Sequence, residues 1–192
     1  MAAAAPAPSA PPSAPPSGFR FPPEYHFPPF FSPQPNLTTR HAQLTKWSAL
    51  VLAYARHHRL FKLALASASH TDLFHNARID RRLGLADIRA VLDFLCADGR
   101  AQYAGPRDGA DVVYVYWRTL DEWASLVEAH VHDTAQRGSV LTVYELTQGE
   151  GTRGTELHGM DDHVLIKALG VLVKRGKAQI FGADDSLGVK FF

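Results

Sequence analysis

The chain repeats itself at an offset of 77 residues, and this repeat constrains its fold more than any other feature. The alignment places Gly99 on Gly176 and Gln102 on Gln179, and we extend it without a gap to place Val112 on Val189 and Tyr114 on Phe191. An earlier segment recurs at an offset of 76, since residues 47–51 resemble residues 123–127. Self-similarity of this length marks duplicated structural units.

Each unit shows the same succession of apolar patterns. Apolar residues at helical spacing predict first helices at about 40–58 and 119–135, and later helices at 86–97 and 161–174. Between them lie short apolar or β-branched segments, each of which fits a strand or the lead into a second helix. A glycine follows each later helix, at Gly99 and Gly176, where a left-handed C-terminal residue is expected.

Two short segments close each unit, and they predict hairpins. Residues 101–103 would pair with 112–116, and residues 178–181 with 188–192. Helix, helix, helix and hairpin in that order predict a winged helix. The sequence therefore predicts an α+β fold of two tandem winged helices, at residues 37–117 and 118–192. Almost no linker separates them, so we expect a rigid rod.

The stretch before the first unit, residues 19–36, doubles a Pro-Pro-x-aromatic motif, and we call it the Pro-aromatic segment. Paired prolines fix φ and remove backbone donors, so we expect it to be extended, close to polyproline II. So short a segment has no core of its own for its aromatic rings, so we expect it to present them to a partner. The alternative is a tail folded back on its own domain. The predicted partner-binding residues are Pro22, Pro23, Tyr25, Pro28, Pro29, Phe30 and Phe31.

Composition restricts the compartment and the class of protein. Residues 1–18 are rich in Ala, Pro and Ser without a positively charged start, which predicts a disordered low-complexity tail rather than a signal peptide. No apolar run approaches the roughly 20 residues that span a bilayer. Cys96 is the only cysteine, so no intrachain disulfide can form. We therefore predict a soluble protein of a reducing, cytoplasmic compartment.

Winged helices often bind DNA, but the charges here argue against it. The predicted recognition helices carry acidic first turns, with Asp87 in one and Asp161 and Asp162 in the other, and acidic groups repel phosphate. The net charge is only +1. Arg81 and Arg82 form the best basic patch, although adjacent arginines are usually a solvated face. We expect no specific nucleic-acid binding.

No pattern in the chain predicts catalysis. Residues 149–154 match GxGxxG by letters, but a dinucleotide site needs these glycines to open a helix directly after a strand. His130 and His132 are two positions apart and would face different directions on a helix, so they cannot chelate a metal together. We predict no enzyme, no cofactor and no metal site.

Several strings together resemble the small-subunit family of the ESCRT-II complex. The residues that carry the resemblance are 21–31, 34–36 and 39–40 at one end, and 142–147, 149–150, 158–161 and 188–192 at the other. The resemblance covers residues 19–192. The Ala/Pro/Ser leader departs from the family pattern.

This resemblance implies a non-enzymatic scaffold of endosomal sorting and multivesicular body formation. In the family, two copies join two larger subunits, and the Pro-Pro-x-aromatic motifs dock on those subunits; Phe31 here stands where a tyrosine can stand. The second winged helix recruits the first helix of an ESCRT-III subunit, and the complex is recruited to the endosomal membrane, which this subunit meets only indirectly. Two alternatives remain open, a ligand of WW domains and a winged-helix DNA-binding regulator.

Overall fold

The computed structural model of the chain describes residues 18–182 and 187–192. The predicted Ala/Pro/Ser tail therefore lies outside the described residues, except for Gly18. None of the helices in the described part is long and apolar enough to cross a membrane.

The first unit opens with helix α1, Leu37–His58. The side chain of Asn36 accepts a hydrogen bond from the backbone amide three residues later, which satisfies a donor that the helix start would otherwise leave unpaired. The helix ends at Arg59, which has a left-handed φ of 53°. Trp47 and Val51 lie on its buried face, as the apolar spacing predicts.

The rest of the first unit forms one sheet and a separate hairpin. The elements are β1 Lys62–Ala64, α2 Leu65–Ala68, β2 His75–Asn76, β3 Arg81–Arg82, α3 Leu85–Ala97, β4 Ala101–Tyr103 and β5 Val112–Val115. Strand β5 lies in the middle of an antiparallel sheet of order β1-β5-β4, and among the described residues β2 pairs only with β3. The β2–β3 hairpin was not predicted, because two-residue strands are too short to show an apolar alternation.

The second unit repeats this plan. The elements are α4 Leu120–Asp133, β6 Val140–Thr142, α5 Val143–Gln148, a 3-10 turn at Glu150–Thr152, α6 Asp162–Lys174, β7 Ala178–Phe181 and β8 Gly188–Phe191. A capping box begins each of its first two helices, with Thr119 and Glu122 at α4 and with Thr142 and Glu145 at α5. Its antiparallel sheet has the order β6-β8-β7.

The element order confirms the predicted fold class. Apart from the β2–β3 hairpin, which the first unit inserts between α2 and α3, each unit runs helix, strand, helix, helix, strand, strand, which is the order of a winged helix. Gly99 and Gly176 follow α3 and α6 with φ of 67° and 69°, as predicted. The division at residues 37–117 and 118–192 remains a prediction. The predicted inner faces of α3 and α6 are all buried, namely Ile88, Val91, Leu92, Leu95, Leu165, Ala168, Leu169 and Leu172.

The gapless alignment of the two closing hairpins is wrong by one residue in the last strand. Gln102 pairs with Tyr114, whereas its counterpart Gln179 pairs with Lys190, so β5 and β8 correspond at an offset of 76. This offset aligns Val113 with Val189, both of which are wholly buried. A slip of one residue would exchange the buried and exposed faces of a strand, so burial fixes the register more strongly than letter identity does.

The two units contact each other directly. The ring of Tyr114 in β5 stacks on that of His163 in α6, with centroids 3.9 Å apart and planes 12° apart. Arg118, between β5 and α4, binds the carboxylate of Glu156 through two nitrogens. A stacked pair and a bidentate ion pair both restrict orientation, so the short connection is reinforced by side chains on either side of it.

Candidate docking surface

The Pro-aromatic segment is not extended, contrary to our expectation. It forms two 3-10 turns, Pro23–His26 and Pro28–Phe31. The Phe27 amide donates to the carbonyl of Glu24 at 3.0 Å, and the Phe30 amide donates to the carbonyl of Phe27 at 2.9 Å. Proline is tolerated at the start of such a turn, because the amide it lacks would have no partner there. Paired prolines therefore excluded a long helix here, but not two short turns.

Three of the predicted partner-binding residues are buried in this chain's own core. Tyr25, Phe30 and Phe31 are 3%, 6% and 4% exposed. Phe30 stacks on Trp47 with centroids 4.4 Å apart and planes 7° apart, and Phe31 meets the same ring edge-on at 5.4 Å. The expectation that these rings need a partner surface is wrong, because α1 supplies the surface.

Gln43 and Trp47 of α1 hold the segment in place by hydrogen bonds to its backbone carbonyls. Gln43 on α1 donates through Nε2 to the carbonyls of Phe30 and Ser32, both at 2.8 Å. The indole nitrogen of Trp47 donates to the same Phe30 carbonyl at 3.0 Å. Buried carbonyls that would otherwise lack partners are thus satisfied, and the segment is fixed in one position.

Tyr25 of the segment and Tyr54 of α1 both bind Asp72, in the loop before β2. The hydroxyl of Tyr25 donates to the backbone carbonyl of Asp72, and that of Tyr54 donates to the carboxylate of the same residue. Burial, together with the Asp72 charge, raises the pKa of Tyr25 to about 12. The same causes raise the pKa of Tyr54 further. Both hydroxyls therefore keep their protons, and remain donors, at physiological pH.

The solvent side of the segment is an apolar ridge. We call the exposed residues Pro23, Phe27, Pro28 and Pro29 the ridge. Phe27 is 60% exposed although its neighbours Tyr25 and Phe30 are buried. Phe27 was not among the predicted partner-binding residues, because it belongs to the spacer between the two motifs. Its position between two proline pairs is the sequence signal that could have indicated it.

Two open hollows lie beside the ridge. One, of about 420 Å³, is lined by Phe21, Pro22, Pro23 and the outer side of α1. The other, of about 240 Å³, is lined by Phe27, Pro29 and α1. Glu24 and Lys46 border both hollows and bind each other at 3.1 Å. The surface is therefore apolar, with one neutralised ion pair at its centre.

The second unit also exposes large apolar side chains. Val140 in β6, Tyr144 in α5 and Phe181 in β7 are 51%, 70% and 44% exposed. No residue of the second unit was predicted from the sequence to belong to a site. Large exposed apolar side chains mark a partner-binding surface where they form a contiguous patch.

The acidic side chains of α3 are engaged within the chain. Arg40 of α1 lies 3.5 Å from the carboxylate of Asp87, and Arg107 and Tyr103 both bind Asp93. The Arg107 guanidinium holds the pKa of Asp93 below its usual range, so this carboxylate stays charged. Arg40 and Arg107, which could otherwise neutralise phosphate, bind these carboxylates instead, so the absence of specific nucleic-acid binding remains our prediction.

The described residues contain no group of three or more His, Cys, Asp or Glu side chains placed to hold a metal ion. The GxGxxG-like stretch contains the 3-10 turn Glu150–Thr152, which follows α5 rather than a strand, and α6 begins only at Asp162. The geometry of a dinucleotide-binding turn is therefore not present at this stretch.

Comparison with known proteins gives consistent results. A family model described as ESCRT-II complex subunit matches residues 24–161. Proteins named vacuolar protein-sorting-associated protein 25 from Xenopus laevis and Homo sapiens are each 38% identical to this chain, over 91% of it and over 99% and 98% of their own lengths. The protein of that name from Drosophila melanogaster is 39% identical over 175 residues, 91% of this chain and 98% of its own.

Two solved structures resemble the fold along most of the chain. The crystal structure of subunit VPS25 of the endosomal trafficking complex ESCRT-II has a TM-score of 0.80 at 25% identity, covering 89% of this chain and 98% of that one. A chain of the endosomal complex ESCRT-II (VPS22/VPS25/VPS36) has a TM-score of 0.78 at 25% identity, covering 88% of this chain and 98% of that one.

Proposed function

Because the chain belongs to the family of ESCRT-II complex subunits, we propose that it is a non-enzymatic scaffold in endosomal sorting and multivesicular body formation. Two copies of it would join two larger subunits, each copy docking through its Pro-aromatic segment. The complex would then act at the endosomal membrane, which this subunit meets only through its partners. The second unit would recruit a subunit of ESCRT-III.

The observation that carries the docking proposal is the exposed Phe27 on a rigid base. Its backbone is hydrogen-bonded on both sides, and the rings on either side of it are buried. A side chain held in this way loses little conformational entropy when a partner covers it. Burial of a phenylalanine contributes about 1.5–3 kcal/mol, and a few such anchors dominate many interfaces.

The predicted binding residues then divide into two groups. Pro23, Pro28 and Pro29 are exposed and can contact the partner directly, and Pro22 is half-buried at the edge of the larger hollow. Tyr25, Phe30 and Phe31 are buried, so in this proposal they support the ridge from below. In this proposal Phe27 makes the partner contact that was predicted for Tyr25, Phe30 and Phe31.

Alanine substitution of Tyr25 and Phe31 cannot test the docking, because it would also damage the core. Phe27→Ser is a cleaner test, and Phe192→Ser is its matched control, since Phe192 is 58% exposed in the second unit. We expect Phe27→Ser to lose co-purification with the two larger subunits at low protein concentration, and Phe192→Ser to keep it. Normal assembly of a folded Phe27→Ser chain would refute the docking proposal.

The folded geometry disfavours the WW-domain alternative. Such domains bind an extended polyproline II segment with the tyrosine side chain free. Here the tyrosine of the literal motif is buried, and its hydroxyl is bonded to Asp72. A WW-domain array that retained the intact chain would favour this alternative after all.

The proposed recruitment of ESCRT-III rests on the exposed side chains of the second unit. Tyr144 is 70% exposed on α5, and an apolar surface of this kind can take one face of an amphipathic helix. Calorimetry of the full chain with a peptide of the amino-terminal helix of an ESCRT-III subunit tests this. We expect Tyr144→Ser to weaken binding and Leu37→Ser, which changes an 86% exposed residue of the first unit, to leave it unchanged. Binding of the peptide to both variants alike would exclude this surface.

A further inference from the structure

Three arginines of the hairpin formed by β2 and β3 face solvent. We call residues 75–82 the arginine hairpin. Arg78, Arg81 and Arg82 are all exposed, and none forms an ion pair with a described residue. Among the described residues, the Arg81 guanidinium bonds only to the backbone carbonyl of the adjacent Asp80, at 3.3 Å.

Elsewhere in the described part of the chain, arginines are engaged. They bind carboxylates or the backbone carbonyls of other residues, and only Arg20 and Arg137 do not. The engaged arginines are Arg40, Arg56, Arg59, Arg89, Arg100, Arg107, Arg118, Arg153 and Arg175. The free guanidinium groups are therefore concentrated on one eight-residue hairpin rather than spread over the surface.

The arginine hairpin is fixed to the Pro-aromatic segment. Asn76, which is 3% exposed, donates through Nδ2 to the carbonyl of Tyr25 at 2.7 Å, and the same nitrogen lies 3.4 Å from the His26 ring. Its Oδ1 accepts from the amide of Arg78 at 3.0 Å, which shapes the hairpin turn. One buried amide thus joins the hairpin to the turn that precedes Phe27, so a partner covering the ridge lies next to the guanidinium groups.

The charge pattern selects the chemistry of the ligand. With Asp80 at its turn, the arginine hairpin carries about two net positive charges, whereas basic segments that bind anionic membranes have about four to eight clustered cations. Nucleic acid needs a longer basic stripe than this. A guanidinium fork matches the two oxygens of a carboxylate, so a protein surface with a few aspartates or glutamates fits best.

We propose that the arginine hairpin binds an acidic patch on the same larger subunit that covers the ridge. This inference rests on the proposed docking function and extends it by a second, electrostatic contact. The ridge supplies apolar burial. The hairpin supplies orientation and a faster encounter, because complementary charge acts on association and on the choice of partner.

The test measures the affinity of the purified larger subunits for three full-length chains at low and at physiological ionic strength. These are the wild type, Arg81→Glu/Arg82→Glu, and the control Arg137→Glu/Lys174→Glu, which changes the same charge at two exposed positions of the second unit that form no ion pair with a described residue. We expect the hairpin variant to bind about tenfold more weakly than the control, with a shallower salt dependence. Arg81→Lys/Arg82→Lys should lie between the two, because lysine keeps the charge and loses the fork.

Each outcome is decisive. If the wild type does not bind the larger subunits, the docking proposal fails and this inference fails with it. If the wild type, the control and the hairpin variant bind alike, only the inference is overturned. Flotation with vesicles of phosphatidylcholine and phosphatidylserine in equal parts tests a membrane contact instead. If the vesicles bind the wild type but not the hairpin variant, and both chains bind the larger subunits with the same affinity, the inference is overturned in favour of a membrane contact.

Discussion

Trp47 of α1 and Trp123 of α4 occupy the same place in the two units, but different parts of the chain cover them. Phe30 of the Pro-aromatic segment stacks on Trp47, whereas Trp117, the second residue after β5, meets Trp123 edge-on at 4.7 Å. In each unit, an aromatic ring from the chain just before the first helix closes the core over its tryptophan. The second unit takes its cover from the end of the first, and the first unit takes it from the Pro-aromatic segment.

This comparison separates two sides of the Pro-aromatic segment. Its buried side completes the first unit, as Trp117 does for the second. Its exposed side, the ridge, has no counterpart at the start of the second unit, where the first unit already occupies the space. Phe27, 60% exposed, lies on this side and is the ring that the proposed docking would use.

The largest expected effect comes from removing the cover of the first tryptophan. Phe30→Ala should lower the free energy of unfolding by about 3–5 kcal/mol, because it removes a buried ring that stacks on Trp47. Chemical denaturation followed by tryptophan fluorescence and circular dichroism measures this. Phe27→Ala is the control and should change stability by less than about 0.5 kcal/mol, since its ring is exposed. Equal, small effects of both would show that the segment does not belong to the core.

A smaller effect should separate the two tryptophans. The Trp47 indole donates to the Phe30 carbonyl, whereas the Trp123 indole nitrogen is buried and has no hydrogen-bond partner among the described residues. Trp47→Phe should therefore cost about 0.5–1.5 kcal/mol more than Trp123→Phe, which removes an unsatisfied donor. The same denaturation experiment compares them. A larger loss at Trp123 would mean that packing at the junction of the units outweighs this hydrogen bond.

A still smaller effect is expected at the ion pair between the units. Glu156→Gln removes the bidentate partner of Arg118 and should lower stability by at most about 1 kcal/mol, because both side chains are partly exposed. The loss should shrink in high salt. Glu150→Gln, which breaks the exposed pair with Arg153, is the control and should have no measurable effect. A salt-independent loss at Glu156 would contradict an electrostatic origin.

The smallest effect concerns pH. Burial, with help from Lys167, lowers the pKa of His163, while Asp161 opposes the shift and Lys62 adds to it. A histidine with a lowered pKa is neutral in the folded state, so its contribution to stability is intact above the ordinary value of about 6.5 and is lost as the pH falls below it. Stability should therefore decline from pH 7.5 to 5.5. His163→Phe, which keeps a ring against Tyr114, should flatten this decline, and an unchanged slope would exclude His163 as its cause.

Much of the architecture could be predicted from periodicity. The faces of α3 and α6, the closing glycines and the duplicated winged-helix order all follow from local spacing, which the chain carries without reference to distant parts. The β2–β3 hairpin could not be predicted, because its strands are two residues long. The predicted offset of the last strands was wrong by one residue, because the burial of Val113 and Val189, rather than letter identity, sets the register.

The position of the candidate docking surface could be predicted from the sequence, but not the side chains that it exposes. Proline pairs marked residues 19–36 as unlike the helices that follow, and the family resemblance indicated a docking role. Which rings would dock could not be read from the motif, since Tyr25, Phe30 and Phe27 are all aromatic and close together. Their burial depends on which side of each 3-10 turn faces α1.

The sequence by itself determined that this chain folds as two winged-helix units behind a proline-rich, aromatic segment, because duplication, apolar period and proline restrictions are local properties. Only the tertiary structure decided which side of that segment faces inward. Trp47, Gln43 and Asn76 lie far along the chain from the rings and carbonyls they bind, and their combined packing and hydrogen bonds set the orientation. The ring that stays exposed is that of Phe27.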